Sequence, residues 1–154
     1  MTTLLGPADS TDTTEGVVRR RRIYLDDIDG YGMLNNTVYP RIFDQAILDF
    51  WIDAGWRLDR STSVLAVREM SVEYHRPVLG IGDVDVQICI VRAGRTSVTY
   101  RLRLLSPDHA VVHAEGTRTV VSLDPATLRP TPLDEEMWAM AAPLLGAGVA
   151  PPSA

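Results

Sequence analysis

The residues of this chain best suited to act together chemically lie in one short stretch, Asp27-Ile28-Asp29-Gly30-Tyr31-Gly32-Met33-Leu34-Asn35-Asn36-Thr37-Val38-Tyr39. Asp29 offers a carboxylate that can serve as base or nucleophile. Gly30 and Gly32 permit positive φ and let a ligand come close to the main chain. The stretch runs into the longest helical pattern of the chain, and a helix start presents unpaired N–H groups at the positive end of its dipole. A carbonyl oxygen placed there is polarised, so a carboxylate beside oriented N–H groups is an apparatus for acyl transfer. Asp-Gly and Asn-Asn are also ordinary turn and cap residues, and spacing alone leaves a purely structural loop as the other reading.

The elements around this stretch can be read from periodicity. A β-branched, arginine-rich run over 17–25 predicts a first strand. Asn36 or Thr37 can cap a helix running to about Ala54, Pro40 is tolerated in its first turn, and Gly55 can end it. Val38, Ile42, Ala46 and Phe50, with Tyr39, Phe43, Ile47 and Trp51 one position on, form a broad apolar stripe that predicts a substantially buried helix. Residues 57–63 read as a connection. Four β-rich runs follow, 64–75, 84–93, 97–105 and 110–123, separated by turn signals at 77–83, Gly94 and Ser106-Pro107-Asp108. Val84, Val86, Ile88 and Ile90 alternate with Asp85, Gln87 and Cys89, the pattern of half-buried antiparallel strands. Asp134 to Leu145 can make a short terminal helix with Met137, Trp138, Ala141 and Leu144 on one face. The class is α+β, with a sheet able to wrap one helix.

Composition narrows the function classes. The chain has 154 residues, enough for one domain without staples. Its net charge of −5 argues against general affinity for nucleic acid. All 15 basic residues are arginines, and the one dense run, Arg19 to Arg22, splits between two faces if it is a strand. The single cysteine, Cys89, excludes an intrachain disulfide and fits a reducing compartment, and its strand-like surroundings favour packing over nucleophilic chemistry. No apolar run approaches the roughly 20 residues that span a bilayer, and Met1 to Gly16 does not read as a signal peptide. A cytoplasmic protein without membrane or nucleic-acid partners is expected. His75, His109 and His113 are scattered and offer no metal-ligand spacing.

The order Asp29, Gly32, Asn35-Asn36, Tyr39, followed by a helix carrying Phe43-Asp44, resembles the hot dog-fold acyl-thioester hydrolases of the 4-hydroxybenzoyl-CoA thioesterase type. The likeness runs from about Arg20 to about Leu145. It implies an antiparallel sheet of about five strands wrapped around one long helix, over 17–145; by composition the Thr- and Asp-rich 1–16 reads as a disordered lead and the Pro- and Ala-rich 146–154 as a flexible tail. It also implies hydrolysis of an acyl-CoA or a carrier-bound acyl thioester, coenzyme A being part of the substrate and no separate cofactor being needed. Asp29 falls on the family's nucleophile or general base. Asn36 falls where a helix-start N–H polarises the carbonyl, and Gly32, Met33, Asn35 and Tyr39 fall along the substrate. Many relatives carry His where Met33 stands, which leaves the substrate subclass open. Arg95, in the turn Gly94-Arg95-Thr96-Ser97, matches a residue that meets coenzyme A phosphates, with Arg92 and Arg76 as weaker additions; a guanidinium suits phosphate by charge and planar fork. Asp44 and Asp49, on the helix, are reserve carboxylates. The resemblance further implies a homodimer or a dimer of dimers with sites at the subunit interface. A non-hydrolytic acyl-thioester binding or sensing module on the same fold is the alternative, because fold does not fix function.

Overall fold

The structure, a computed structural model, describes residues 12–57, 59 and 63–153. Five strands, β1 (Val17–Ile23), β2 (Val64–Tyr74), β3 (Gly82–Ala93), β4 (Ser97–Leu105) and β5 (Val112–Leu123), form one sheet. Every pairing is antiparallel, and the order across the sheet is β1-β3-β4-β5-β2. One long helix, α1 (Tyr39–Asp53), packs on one face, and a short helix, α2 (Glu135–Ala141), adds Met137, Trp138 and Ala141 to the same core. This is the hot dog arrangement expected from the sequence.

Burial explains the helix. Tyr39, Ile42, Phe43, Ala46, Ile47, Phe50 and Trp51 are all buried, at the spacing the stripe predicts. They meet Val84, Val86, Ile88 and Ile90 of β3 and the inward residues of β4 within one cluster. Gly116 on β5 leaves room for the close approach of the β2 backbone. A Cβ there would collide with the Ser71 carbonyl oxygen and lie 3.6 Å from the Phe43 ring. The helix ends as expected, with Gly55 at φ +105 and the Trp56 N–H bonded to the Trp51 carbonyl at 2.8 Å. Its start differs from expectation. The cap is Asn35, whose Oδ1 accepts from the Thr37 N–H at 3.0 Å and the Thr37 hydroxyl at 2.8 Å. Asn36–Val38 form a 3-10 turn that leads into α1.

The arginine run splits between faces, as alternation requires. Arg19 and Arg21 reach over to Asp53 and Asp49 of α1, while Arg20 and Arg22 pair with Asp85 and Asp83 of β3. Asp85 is buried and also meets His109 Nε2 at 2.8 Å. Burial opposes its charge, but the Arg20 and His109 hydrogen bonds prevail and hold the carboxyl below the usual carboxylate range.

The outward face of β3 is not half-exposed. Asp85, Gln87 and Cys89 are all buried: Arg20 and His109 meet Asp85, and residues 12–16 and 146–147 lie against the sheet at Gln87 and Cys89. Of the lead expected over 1–16, residues 1–11 lie outside the described residues, while 12–16 run along β3 and β4. Gln87 Nε2 donates to the Glu15 carbonyl at 2.7 Å, and Arg101 pairs with Glu15 at 3.0 Å. On the tail side, the Gly146 N–H bonds to the Ile90 carbonyl at 2.9 Å and the Ala147 N–H to Glu15 Oε1 at 3.1 Å. The start of the tail is thus tied down by backbone bonds that its Pro- and Ala-rich composition does not reveal. Burial raises the Cys89 thiol above its ordinary pKa, which fits a packing role. Among the described residues no helix is long and apolar enough to cross a membrane.

Two outcomes test this packing. Gly116→Ala forces a methyl group into the β5–β2–Phe43 contact and should lower stability by about 1–3 kcal/mol, read from the urea midpoint. Tyr100 is fully buried with its hydroxyl accepting from Trp51 Nε1 at 3.1 Å, and burial pushes its pKa up to about 12. The unfolded phenol titrates near pH 10, so this contribution is complete below about pH 10 and is lost as pH rises toward about 12, at roughly 1.4 kcal/mol per pH unit. With no lysine to titrate in that window, the fall between pH 9 and 11 should be visibly flatter in Tyr100→Phe.

Candidate active site

Asp29 sits in a small closed loop. Its N–H bonds to the Met33 carbonyl at 2.8 Å, and its carbonyl accepts the Gly32 N–H at 3.1 Å. Its Oδ1 accepts the Tyr31 N–H at 2.8 Å and the Met33 N–H at 3.2 Å. This fixes the carboxylate, and Oδ2 has no partner among the described residues. Of the two glycines, only Gly32 takes positive φ, at +75, with nothing within 4 Å of where a Cβ would stand. Gly30 has equally open space but no such backbone requirement.

The loop is pinned to the segment after β2. The Leu34 N–H bonds to the Val78 carbonyl, and the Gly80 N–H to the Gly32 carbonyl, both at 2.9 Å. Asp27 ties it to the helix. This carboxylate, 5% exposed, accepts the Tyr24 N–H at 2.8 Å and pairs with Arg41 in the first turns of α1. The Asn35 N–H adds a bond to the Asp27 carbonyl at 2.9 Å.

Between loop, helix start and the end of β2 lies a cleft of about 300 Å³. Asp29, Met33, Asn36 and Tyr39 all line it. The structure therefore brings together the proposed carboxylate and the proposed helix-start donor, which are seven positions apart. As the first residue of its turn, Asn36 has an N–H with no acceptor among the described residues, so the donor is open. Tyr39 is 3% exposed, and burial raises its phenol above the ordinary range. Gly32 and Asn35 do not line the cleft; they shape the loop and cap the turn.

Three lining residues lie outside the stretch singled out from sequence: Tyr74, Arg76 and Pro77. Tyr74 donates its hydroxyl to the Asn36 carbonyl at 2.8 Å and stacks edge-on against Tyr39 with ring centroids 4.9 Å apart. Arg76 had been weighed only for coenzyme A phosphates. Sequence places all three at the end of a strand, but nothing local says that this end meets the helix start. On the two joined loops Tyr24, Leu25, Tyr31, Leu79 and Ile81 are exposed.

The other sequence candidates lie elsewhere. Arg95 is exposed in the tight β3–β4 turn, where the Gly94 N–H bonds to the Ser97 carbonyl at 2.8 Å, and Arg92 is exposed at the bulge next to it. The register puts both at the far end of the sheet: Ile23 pairs with Gly82 near the cleft, and Ala93 pairs with Val98 at the opposite end. The reserve carboxylates are ion-paired, Asp44 with Arg118 and Asp49 with Arg21. His75 is buried with Nε2 3.3 Å from Glu115, and His113 Nδ1 lies 3.1 Å from the Arg76 carbonyl. Among the described residues no group of three or more His, Cys, Asp or Glu is placed to hold a metal ion.

Solved structures share this architecture. The PA5185 protein from Pseudomonas aeruginosa strain PAO1 superposes with a TM-score of 0.81 at 23% identity, covering 88% of this chain and 96% of its own. A 1,4-dihydroxy-2-naphthoyl-CoA thioesterase from Synechocystis gives 0.74 at 16% identity, covering 81% and 94%. The Dynemicin thioesterase, described in connection with polyene binding, gives 0.79 at 14% identity, covering 87% and 100%. At such identities these establish the fold. No curated protein matches the chain in sequence. The sequence profile of the thioesterase-like superfamily matches residues 23–140, from the end of β1 into α2, and the chain belongs to that superfamily.

Proposed function

We propose that this protein hydrolyses an acyl thioester, an acyl-CoA or a carrier-bound equivalent, in the cleft between Asp29 and Asn36. The observation that carries this reading is the shared cleft itself, with a fixed carboxylate on one wall and an open helix-start N–H on the other. The thioester carbonyl oxygen takes the Asn36 N–H, whose pull grows as negative charge builds on that oxygen. Asp29 then acts in one of two ways. As general base it removes a proton from water while the water oxygen bonds to the carbonyl carbon; the C–S bond breaks and the thiolate takes up the proton. As nucleophile its Oδ2 bonds to the carbonyl carbon, the thiolate leaves, and water cleaves the resulting anhydride. Met33, a thioether, lends the cleft an apolar wall and no side-chain donor.

The free edge of β2 supports a dimer. Its outer side has no strand partner among the described residues, and Val67 and Tyr74 are 51% and 40% exposed. Such an edge invites pairing with a second copy. An antiparallel, two-fold pairing of β2 with β2 sets the far end of one sheet beside the cleft end of the other. That brings Arg95 and Arg92 of one copy toward the cleft of its mate, where coenzyme A phosphates would project. Within one protomer they are too distant to serve.

Thiol release from aromatic, short-chain and long-chain acyl-CoA substrates tests the proposal. One class should be turned over, and Asp29→Asn should lower kcat by about two orders of magnitude or more while the protein remains folded. A parent that binds acyl-CoA but releases no thiol would instead favour the binding-module reading. Tyr74→Phe frees the Asn36 carbonyl, and with it the set of the donor peptide. It should lower kcat about tenfold with little change in KM, as expected for a group that positions an oxyanion donor.

A further inference from the structure

Arg76 lines the same cleft as Asp29 and Asn36. Most described arginines are paired with carboxylates of the chain, whereas Arg68, Arg76, Arg92, Arg95 and Arg129 form no ion pair with a described residue. Of these five only Arg76 lines the cleft. Its backbone is held in place. Pro77 confines the preceding residue to extended conformations. The Arg76 N–H bonds to the His113 carbonyl at 3.0 Å, and the Arg76 carbonyl accepts from His113 Nδ1 at 3.1 Å. The guanidinium therefore starts from a fixed point at the strand end.

The size of the cleft limits what this guanidinium can meet. About 300 Å³ holds about ten non-hydrogen atoms at the volume per molecule of liquid water. In coenzyme A about thirteen bonds, roughly 16 Å of extended chain, separate the sulfur from the nearest phosphorus. With a thioester seated between Asp29 and Asn36, the phosphates lie outside the cleft, and Arg76 meets groups only a few bonds from the carbonyl. Asp29 is the other charged lining residue, and no ion pair joins it to Arg76. The guanidinium is thus not engaged in holding that carboxylate.

Resting on the thioesterase reading, we propose that Arg76 selects acyl groups carrying a second carboxylate about three to five bonds from the thioester carbonyl, which it takes in its planar fork. Asp29 repels such a carboxylate, and Arg76 offsets the repulsion. Exposed in the free protein, the guanidinium is desolvated as the acyl group fills the cleft, which strengthens the pair over one at an open surface.

Glutaryl and pentanoyl groups have the same chain length and differ in the terminal carboxylate. Each is assayed as the coenzyme A thioester and as the phosphate-free N-acetylcysteamine thioester, with non-enzymatic hydrolysis subtracted, on the unmodified protein, Arg76→Met and Arg76→Lys. The ratio of kcat/KM for glutaryl over pentanoyl should be at least about ten in both series, fall at least about tenfold in Arg76→Met, and recover in part in Arg76→Lys, which keeps the charge and loses the fork. A ratio unchanged in Arg76→Met overturns the proposal. So does a loss shared equally by both coenzyme A thioesters and absent from both N-acetylcysteamine thioesters, which assigns Arg76 to a phosphate. Binding calorimetry with glutarate and pentanoate needs no turnover. Glutarate should bind at least about tenfold tighter, and Arg76→Met should abolish the difference; equal binding to the unmodified protein overturns the assignment. Tighter, Arg76-dependent glutarate binding by a protein that hydrolyses no thioester sinks the proposed activity and leaves the carboxylate site standing.

Discussion

The burial of seven α1 side chains against a sheet whose β5 carries a glycine opposite Phe43 is the contact on which the rest of the molecule depends. It sets the helix close to the sheet and fixes where the helix starts. That start lies over the sheet end where β2 runs out and β3 begins, so the loop bearing Asp29 meets the loop after Tyr74. The bonds from Leu34 and Gly80 to that neighbouring loop then hold the carboxylate in register with Asn36. A site built from two loops acquires the rigidity of the core beneath it.

Charge is distributed around this frame with a clear division. Asp27, Asp44, Asp49 and Asp53 each meet an arginine, and these contacts tie the helix to its flanking elements. Pairs of this kind at the surface add little stability singly, but they settle which carboxylates are neutralised by a guanidinium. Asp29 is held instead by two backbone N–H groups through one oxygen. Asp29 lines one cleft with Asn36, whose N–H is open. The chemistry proposed here follows from that contrast.

Much of this was legible in the sequence. The apolar stripe over Val38 to Trp51 marked the buried helix, alternation in β3 gave its inward residues, and Asp29, Met33, Asn36 and Tyr39 prove to line one cleft. What stayed hidden depends on contacts between segments distant in sequence. Tyr74 reads as a strand residue, and its bond to the Asn36 carbonyl follows only from strand order and register. The outward face of β3 reads as half-exposed because nothing in Asp12–Gly16 or Gly146-Ala147 announces that these segments lie on it. The cap moved from Asn36 or Thr37 to Asn35 because all three are residues that can cap and geometry chose among them. Arg95 is expected to meet coenzyme A phosphates from its resemblance to a family residue, whereas its distance from Asp29 in the same chain appears only once the strands are paired.

The central claim is that a thioester carbonyl rests on the Asn36 N–H while facing Asp29. The most direct measurement is the infrared stretch of a carbonyl-13C-labelled acyl-CoA bound to Asp29→Asn, the label isolating that one bond from the protein amides. The account predicts a stretch at lower frequency than for the same thioester in buffer, because a hydrogen bond from the helix start weakens the C=O bond. A bound thioester whose stretch matches that in buffer would contradict it, since the carbonyl would then lie away from the helix start.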